Sequence, residues 1–334
     1  MDTNSHNILS VIHSVCMAYP DNIAVTEDSH RCATYAQLWD RASRVAEYLR
    51  RNAASQPFIG LQMPKSISYI IGLLGVWMAD KAFIPIGNDL PTARQRHIIE
   101  DANLSTVLDE KLIEQTMACP AIAYTAKDIS DSAAYMIYSS GTTGNPKGIL
   151  VGHAGLCNLA SCQRAMFQVD EHSRFLFFLS INFDASISDI LVTLTSAATL
   201  VIETMPQEEI ALSLFDIISS HNISHTDIPP SLLRLKNPTD CPSCLQTIVI
   251  GGEAAEIETV RRWSDKVRLI NVYGPTEATV CTSMCLCTSA WDRPLLGYVL
   301  DNTAYNIHSN GNMNADEGEL WISGVGLAII ITKN

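Results

Sequence analysis

The sequence predicts an α/β fold: two subdomains in which strands and helices alternate around sheets, followed by a small all-β, barrel-like appendage. From residue 8 to about 280, short apolar and β-branched runs recur between stretches with apolar residues at helical spacing. That order is typical of largely parallel sheets flanked by helices. From about residue 291 the texture changes to short strand candidates separated by turn residues, with no long helical pattern. The chain has 334 residues, 47% hydrophobic and 17% charged, enough for two packed subdomains and unlike a disordered chain. The expected division is an α/β core over 1–290 and a small β subdomain over 291–334.

Residues 8–19 and 34–51 read as helices, the second behind a capping Thr34. "PFIGLQM" predicts a strand, "SISYIIGLLGVWMAD" a buried helix and "KAFIPIG" another strand. A helix over "PTARQRHIIEDAN" and a strand over "LSTVLDE" follow, then the strand "AYMIYSS". Beyond it come a helix near 153–164, a strand "RFLFFLS", a helix near 186–197, a strand "TLVIE" and a helix near 208–221. Strands around "SHTDIP" and "QTIVIGG" complete the alternation. "YNIHSNGNM" and "GELWISG" are the strand candidates of the appendage.

The segment "YMIYSSGTTGNPKGIL" (135–150) begins as a strand and then loses its apolar side chains. Ser139, Ser140, Thr142 and Thr143 bring hydroxyls together, Gly141, Gly144 and Gly148 let backbone approach a ligand, and Lys147 adds a positive charge. Hydroxyls, backbone N–H groups and one ammonium make a nest for an anion, best matched by a polyphosphate. The segment is not a Walker A loop, because Pro146 precedes Lys147 and Gly148 opens a strand where that motif needs a helix.

With 22 Lys plus Arg against 35 Asp plus Glu, the net charge is −13, which argues against nucleic acid and anionic membranes as partners. A polyphosphate would then be held by local donors and a divalent cation. The apolar runs fall short of the ~20 residues of a membrane span. The start, "MDTNSHNILS", lacks a basic stretch followed by an apolar run, so a cytoplasmic location is expected.

The ten cysteines sit mostly inside apolar segments, as small buried hydrophobes do in a reducing compartment. Cys241 and Cys244 have zinc-like spacing, but Cys285 and Cys287, the candidate second pair, are separated by one residue only. His221 and His225 stand four apart where a helix is expected to end. Neither set predicts a metal site.

"YMIYSSGTTGNPKG" resembles the signature loop of the AMP-forming adenylate synthetases, the superfamily of acyl-CoA synthetases, luciferases and the adenylation domains of nonribosomal peptide synthetases. "TYAQL", "GVWMADKAFIPIG", "FDAS", "IVIGGEA", "NVYGPTEATV" and "GELWISGVGLA" resemble its further core motifs, in order and over nearly the whole chain. The resemblance implies activation of an amino acid by ATP and Mg²⁺, giving aminoacyl-AMP and pyrophosphate. It also implies transfer to phosphopantetheine on a peptidyl carrier protein or a neighbouring synthetase module.

The implied phosphate loop is Ser139, Ser140, Gly141, Thr142, Thr143, Gly144 and Lys147, with Thr142, Thr143, Lys147 and Glu277 in catalytic roles. Tyr273 is implied against the adenine face, Asn271 at its edge and Glu277 on magnesium, with Gly251, Gly252, Glu253, Gly274 and Thr276 completing the nucleotide site. Asp184, which taken alone would read as a helix cap, is implied to hold the α-ammonium of an amino acid. Carried over in the same way, the side-chain pocket takes Asp184, Ala185, Ser188, Asp227, Val249, Gly251, Val272, Val280 and Cys281. Asp227 and Ser188 favour a substrate side chain with a donor or a charge, of the Gln, Glu-like, Orn or Tyr kind; Asp227 facing water is the alternative.

Two departures from the resemblance stand out. Gly87 replaces the usual acidic residue after "PI". The motif that ends "GLARGY" in the family reads "GLAIIITKN" here, and the family's ribose-binding Asp, hinge and C-terminal lid with its lysine are expected to be missing from residues 1–334. Weak adenylation by these residues alone follows as an expectation. The competing readings are a stand-alone amino-acid:carrier-protein ligase of the D-alanine kind and a non-catalytic nucleotide or amino-acid binder.

Overall fold

The computed structural model describes residues 7–28, 30–140, 146–309, 312–313 and 315–332. Two large sheets organise them. The larger has nine strands, in the order Tyr298–Val299, Ser283–Leu286, Arg268–Tyr273, Thr247–Gly251, His225–Asp227, Arg174–Leu176, Thr199–Ile202, Ile23–Glu27, Arg31–Thr34. From Arg268–Tyr273 across to Ile23–Glu27 the neighbours pair parallel, and antiparallel strands close both edges. The second sheet has six strands, in the order Ile330–Ile331, Pro146–Gly152, Ala133–Ser140, Ala82–Pro85, Phe58–Leu61, Val107–Leu108.

Helix Ile67–Met78 is buried at every residue, as a sequence apolar on all faces requires. It packs on helix Tyr35–Asn52, whose start is fixed by a reciprocal cap between Thr34 and Gln37. Around these helices one core joins Val25, Leu200 and Ile202 of the larger sheet to Ile59, Phe83 and Ala134 of the smaller. The Trp77 indole N–H donates to the Ala134 carbonyl at 2.8 Å, tying helix to sheet. On the strand Thr247–Gly251 the side chains alternate: Ile248 and Ile250 meet Val260 and Trp263 on one face, while Val249 meets Phe175 and Ile270 on the other.

Some elements differ from expectation. The strand in "RFLFFLS" stops at Leu176, because the Phe177 and Phe178 carbonyls turn to accept from Lys65 Nζ at 2.9 and 3.1 Å. The helix expected over 208–221 is two, Gln207–Leu212 and Leu214–Ser220, meeting at Ser213. Helix Ile257–Ser264 and strand Arg268–Tyr273 were not foreseen; in "RLINVY" polar and apolar residues mix because the strand is only half-buried. Past residue 291 the described strands Asn312–Met313, Thr303–Ser309 and Glu319–Gly324 form a three-stranded antiparallel sheet. Tyr298–Val299 and Ile330–Ile331 instead join the edges of the two large sheets. No described helix is long and apolar enough to cross a membrane.

Candidate active site

Asp227, Gly251 and Tyr273 are the last residues of three adjacent parallel strands. Ligands of open α/β sheets gather outside such carboxyl ends, where loops diverge and backbone groups are left unpaired. Two cavities open there. One, of about 420 Å³, is lined by Asp184, Ala185, Asp227, Val249, Gly251, Val272 and Val280 together with Leu179, Phe183 and Gln207. The other, of about 360 Å³, is lined by Asn271 and Tyr273 with Trp291, Pro294 and Leu295. Gly252, Glu253 and Gly274 border both, so the cavities are neighbours.

Backbone shape makes the junction. Gly252 has φ +77° with open space where a side chain would stand. At Gly274 a Cβ would run into the backbone of Cys281 and Thr282, because the chain doubles back there and Thr282 N donates to Tyr273 O at 2.7 Å. Between these arms the turn Thr276–Ala278 carries Glu277. Thr279 and Val280 follow with φ of 57° and 66°, a left-handed pair that β-branched residues adopt only when held. The tail does the holding: Ala328 N donates to Glu277 O at 2.8 Å, and Thr279 Oγ1 to Gly326 O at 2.5 Å.

Asp184 precedes helix Ala185–Leu194 but makes no side-chain cap bond. Its half-buried carboxyl faces the larger cavity and accepts a bond from the Thr276 side chain. Burial pushes that carboxyl up, the bonds from Thr276 and backbone N–H groups pull it down, and the charge of Glu277 pushes it up again. One carboxylate therefore looks into the first cavity beside the turn that carries another.

Strand Pro146–Gly152 packs against that turn and places Lys147 opposite Ser139 of Ala133–Ser140. Gly141, Thr142, Thr143 and Gly144 of the expected phosphate loop, and the side chain of Ser140, lie outside the described residues. Among the described residues no three His, Cys, Asp or Glu side chains converge on a metal-sized site. Glu277 would thus offer a cation one carboxylate, the remaining oxygens coming from phosphate and water, as magnesium prefers.

The profile of the AMP-binding enzyme family matches residues 12–329. The chain belongs to that family. It is 31% identical over 333 residues to bacitracin synthase 3 of Bacillus licheniformis, covering 92% of this chain and 5% of that protein. Against tyrocidine synthase 1 of Brevibacillus parabrevis it is 30% identical over 344 residues, covering 93% and 31%. The chain thus spans a minor part of the length of these relatives.

Its fold is that of the N-terminal subdomain of Klebsiella oxytoca NpsA, solved in complex with 3-hydroxyanthranilyl-AMSN. There the TM-score is 0.85 at 20% identity, covering 98% of this chain and 89% of that one. NpsA-ThdA, an artificially fused adenylation–PCP di-domain from the same organism, gives 0.86 at 21% identity, covering 98% and 70%.

Within this AMP-binding fold several side chains fall elsewhere than the sequence implied. Ser188 and Cys281 do not line the cavity. Both are buried against Gln163, with Ser188 Oγ donating to its Oε1 at 2.8 Å and its Nε2 reaching Cys281 Sγ at 3.5 Å. Gln163 went unnoticed, although a polar residue on the buried face of helix His153–Phe167 is a visible signal. Glu253 is exposed at the junction, where bonds from the Ser231 side chain and from Ser231 N, the latter at 2.6 Å, hold its carboxyl below its ordinary value. Asn271 Nδ2 donates to Leu295 O at 2.9 Å, fixing one wall of the smaller cavity.

Asp189, also unforeseen, lies fully buried beside Asp227. Burial raises Asp227 to about 7, and burial together with the charge of its neighbour raises Asp189 well above its ordinary value. Elsewhere, His221 pairs with Glu203 at 2.8 Å, whereas His225 lies between Ser224 Oγ and Phe167 O. Cys241 and Cys244 turn their thiols to backbone carbonyls.

Proposed function

We propose that this chain is the amino-acid-activating part of an adenylation domain, with a peptidyl carrier protein or neighbouring synthetase module as partner. The observation that carries the reading is Asp184: a carboxylate unused as a cap, facing an otherwise largely apolar cavity, beside the turn of Glu277 and next to a second cavity walled by Tyr273. A half-buried carboxylate facing apolar walls calls for a cation, and the α-ammonium of an amino acid supplies one.

In this reading the substrate side chain enters the 420 Å³ cavity and adenine lies against Tyr273 in the smaller one. The substrate carboxylate then sits near the junction at Gly252 and Gly274. The carboxylate oxygen attacks the α-phosphorus of ATP, the bond to the bridging oxygen breaks, and pyrophosphate leaves with that electron pair. Ser139 and Lys147, with the loop between them, would hold the β- and γ-phosphates, and Glu277 the magnesium that offsets their charge. Positioning across two preformed cavities is this chain's main contribution. The aminoacyl group would then pass to a phosphopantetheine thiol of the carrier: the C–S bond forms, the acyl–phosphate C–O bond breaks, AMP leaves with that electron pair, and the thiol proton goes to solvent. Most of the core of this unit lies in residues 1–290; within 291–334 the three-stranded sheet is its small β part while Tyr298–Val299 and Ile330–Ile331 edge the large sheets, and the unit works in the cytoplasm.

Calorimetry with amino acids and their deaminated counterparts, in the presence of ATP and Mg²⁺, tests the assignment. Amino acids should bind, deaminated analogues should bind at least ~10-fold more weakly, and Asp184→Ala should erase the difference. Equal binding of both by the unaltered chain would move the protein to the acid-activating branch of the family.

A further inference from the structure

Helix Ala185–Leu194 carries Asp189 in an otherwise apolar and hydroxyl-bearing run, with no solvent exposure at all. Neither of its carboxyl oxygens receives a hydrogen bond from a described donor, and neither does Oδ1 of Asp227. Asp227 is only 8% exposed, and it lines the 420 Å³ cavity. Two buried carboxyls without donors are stable together only if a proton lies between them.

Among the described residues the surroundings supply no other partner. Lys65 is the cation in range of Asp189, and its ammonium is already bonded to the Phe177 and Phe178 carbonyls. Ser188, Gln163 and Cys281 bond one another. Burial pushes the Cys281 thiol up to about 12, so it stays neutral, and Asp184 bonds Thr276 at the other wall. Asp227 borders the cavity while its Oδ1 is enclosed and undonated, so a donor brought into the cavity by the ligand meets the pair through Asp227.

We propose that this cavity selects an amino acid whose side chain ends in a cation, an ammonium or guanidinium that takes the place of the proton shared by Asp189 and Asp227. The inference rests on the reading that the cavity receives the amino-acid side chain. Charge balances: the incoming cation replaces one proton, which leaves to solvent, and Lys65 offsets the second carboxylate. A side-chain carboxylate would add a third negative charge to the pair, and an alkyl side chain would leave Asp227 without a donor. Asp189 acts through Asp227, as a positioning residue that keeps the negative charge of the pair available.

The test is isothermal calorimetry on the full chain with non-hydrolysable aminoacyl-sulfamoyladenosines: ornithyl, lysyl and arginyl against norleucyl, glutaminyl and glutamyl. The best basic probe should bind at least ~10-fold more tightly than norleucyl, because a site built around a polar contact rejects the ligand that lacks it. Its binding heat should vary with buffer ionisation enthalpy, reporting a released proton. Asp189→Asn should reduce the basic preference at least ~10-fold while leaving norleucyl within ~3-fold, a split that mere loss of packing would not give. Asp227→Asn, read the same way, covers the case in which Asp189→Asn fails to fold. Equal or tighter binding of the neutral probes overturns the inference and leaves the amino-acid site standing. If no probe and no ATP binds, the site assignment itself falls and the inference falls with it.

Discussion

Replacing Asp189 by Asn should stabilise the ligand-free chain in mildly alkaline solution and leave it nearly unchanged in acid. In the unfolded chain both carboxyls of the pair lose their protons near pH ~3.9. In the fold, burial raises Asp227 to about 7 and Asp189 well above its ordinary value. A carboxyl raised by folding supports the fold fully below its unfolded value and withdraws that support as pH climbs to the folded one. Each such carboxyl lowers stability by about 1.4 kcal/mol per pH unit across that window. For Asp227 alone, from 3.8 to about 7, the sum is on the order of 4 kcal/mol.

Asparagine has the shape of Asp189, stays neutral throughout, and can donate its amide N–H to Asp227. The expected gain at pH 8 is therefore about 2–4 kcal/mol, against less than ~1 kcal/mol at pH 4.5. Urea titrations followed by tryptophan fluorescence at the two pH values measure it. A variant less stable than the parent at pH 8, or equally stabilised at both pH values, would refute the shared-proton account of the pair.

Other outcomes follow from the same geometry. Tyr273→Ala should remove most of the rise in melting temperature that ATP gives, since it takes away the aromatic wall of the smaller cavity; an undiminished rise would place the nucleotide elsewhere. Affinity for a lysyl or ornithyl probe should climb with pH and keep climbing through pH 7, because the cation displaces the proton the pair still shares there, while norleucyl should show no such slope; a plateau setting in at pH 7 would show that no shared proton is displaced. Trp77→Phe keeps a buried ring but leaves the Ala134 carbonyl without its donor, so it should cost about 1–3 kcal/mol in urea, and a neutral substitution would show that water or a neighbour replaces the indole. Gly274→Ala should weaken binding of ATP and amino acid together, since a Cβ there meets the returning backbone of Cys281; loss of only one ligand would separate the two cavities.

Much of this protein was legible in the sequence because it is encoded locally. The Thr34–Gln37 cap, the wholly apolar helix Ile67–Met78 and the short β-branched strands each declare themselves within a few residues, since period and capping chemistry act over a turn or a strand. Asp184 of "FDAS" and Tyr273 of "NVYGPTEATV", both singled out from the sequence, line adjacent cavities. Tertiary structure alone decided which neighbours each side chain meets. Ser188 is one turn along the helix that Asp184 precedes, yet it turns to Gln163 on another helix and not into the cavity. Thr279 and Val280 hold left-handed backbone because Gly326 and Ala328, far along the chain, bond the turn from outside. Asp189, in the middle of its helix, carries no local signal of its own, and only tertiary structure buries it against a second carboxyl. Burial, hydrogen-bond partners and proton sharing depend on distances between segments that folding brings together, and no local pattern in the chain carries that information.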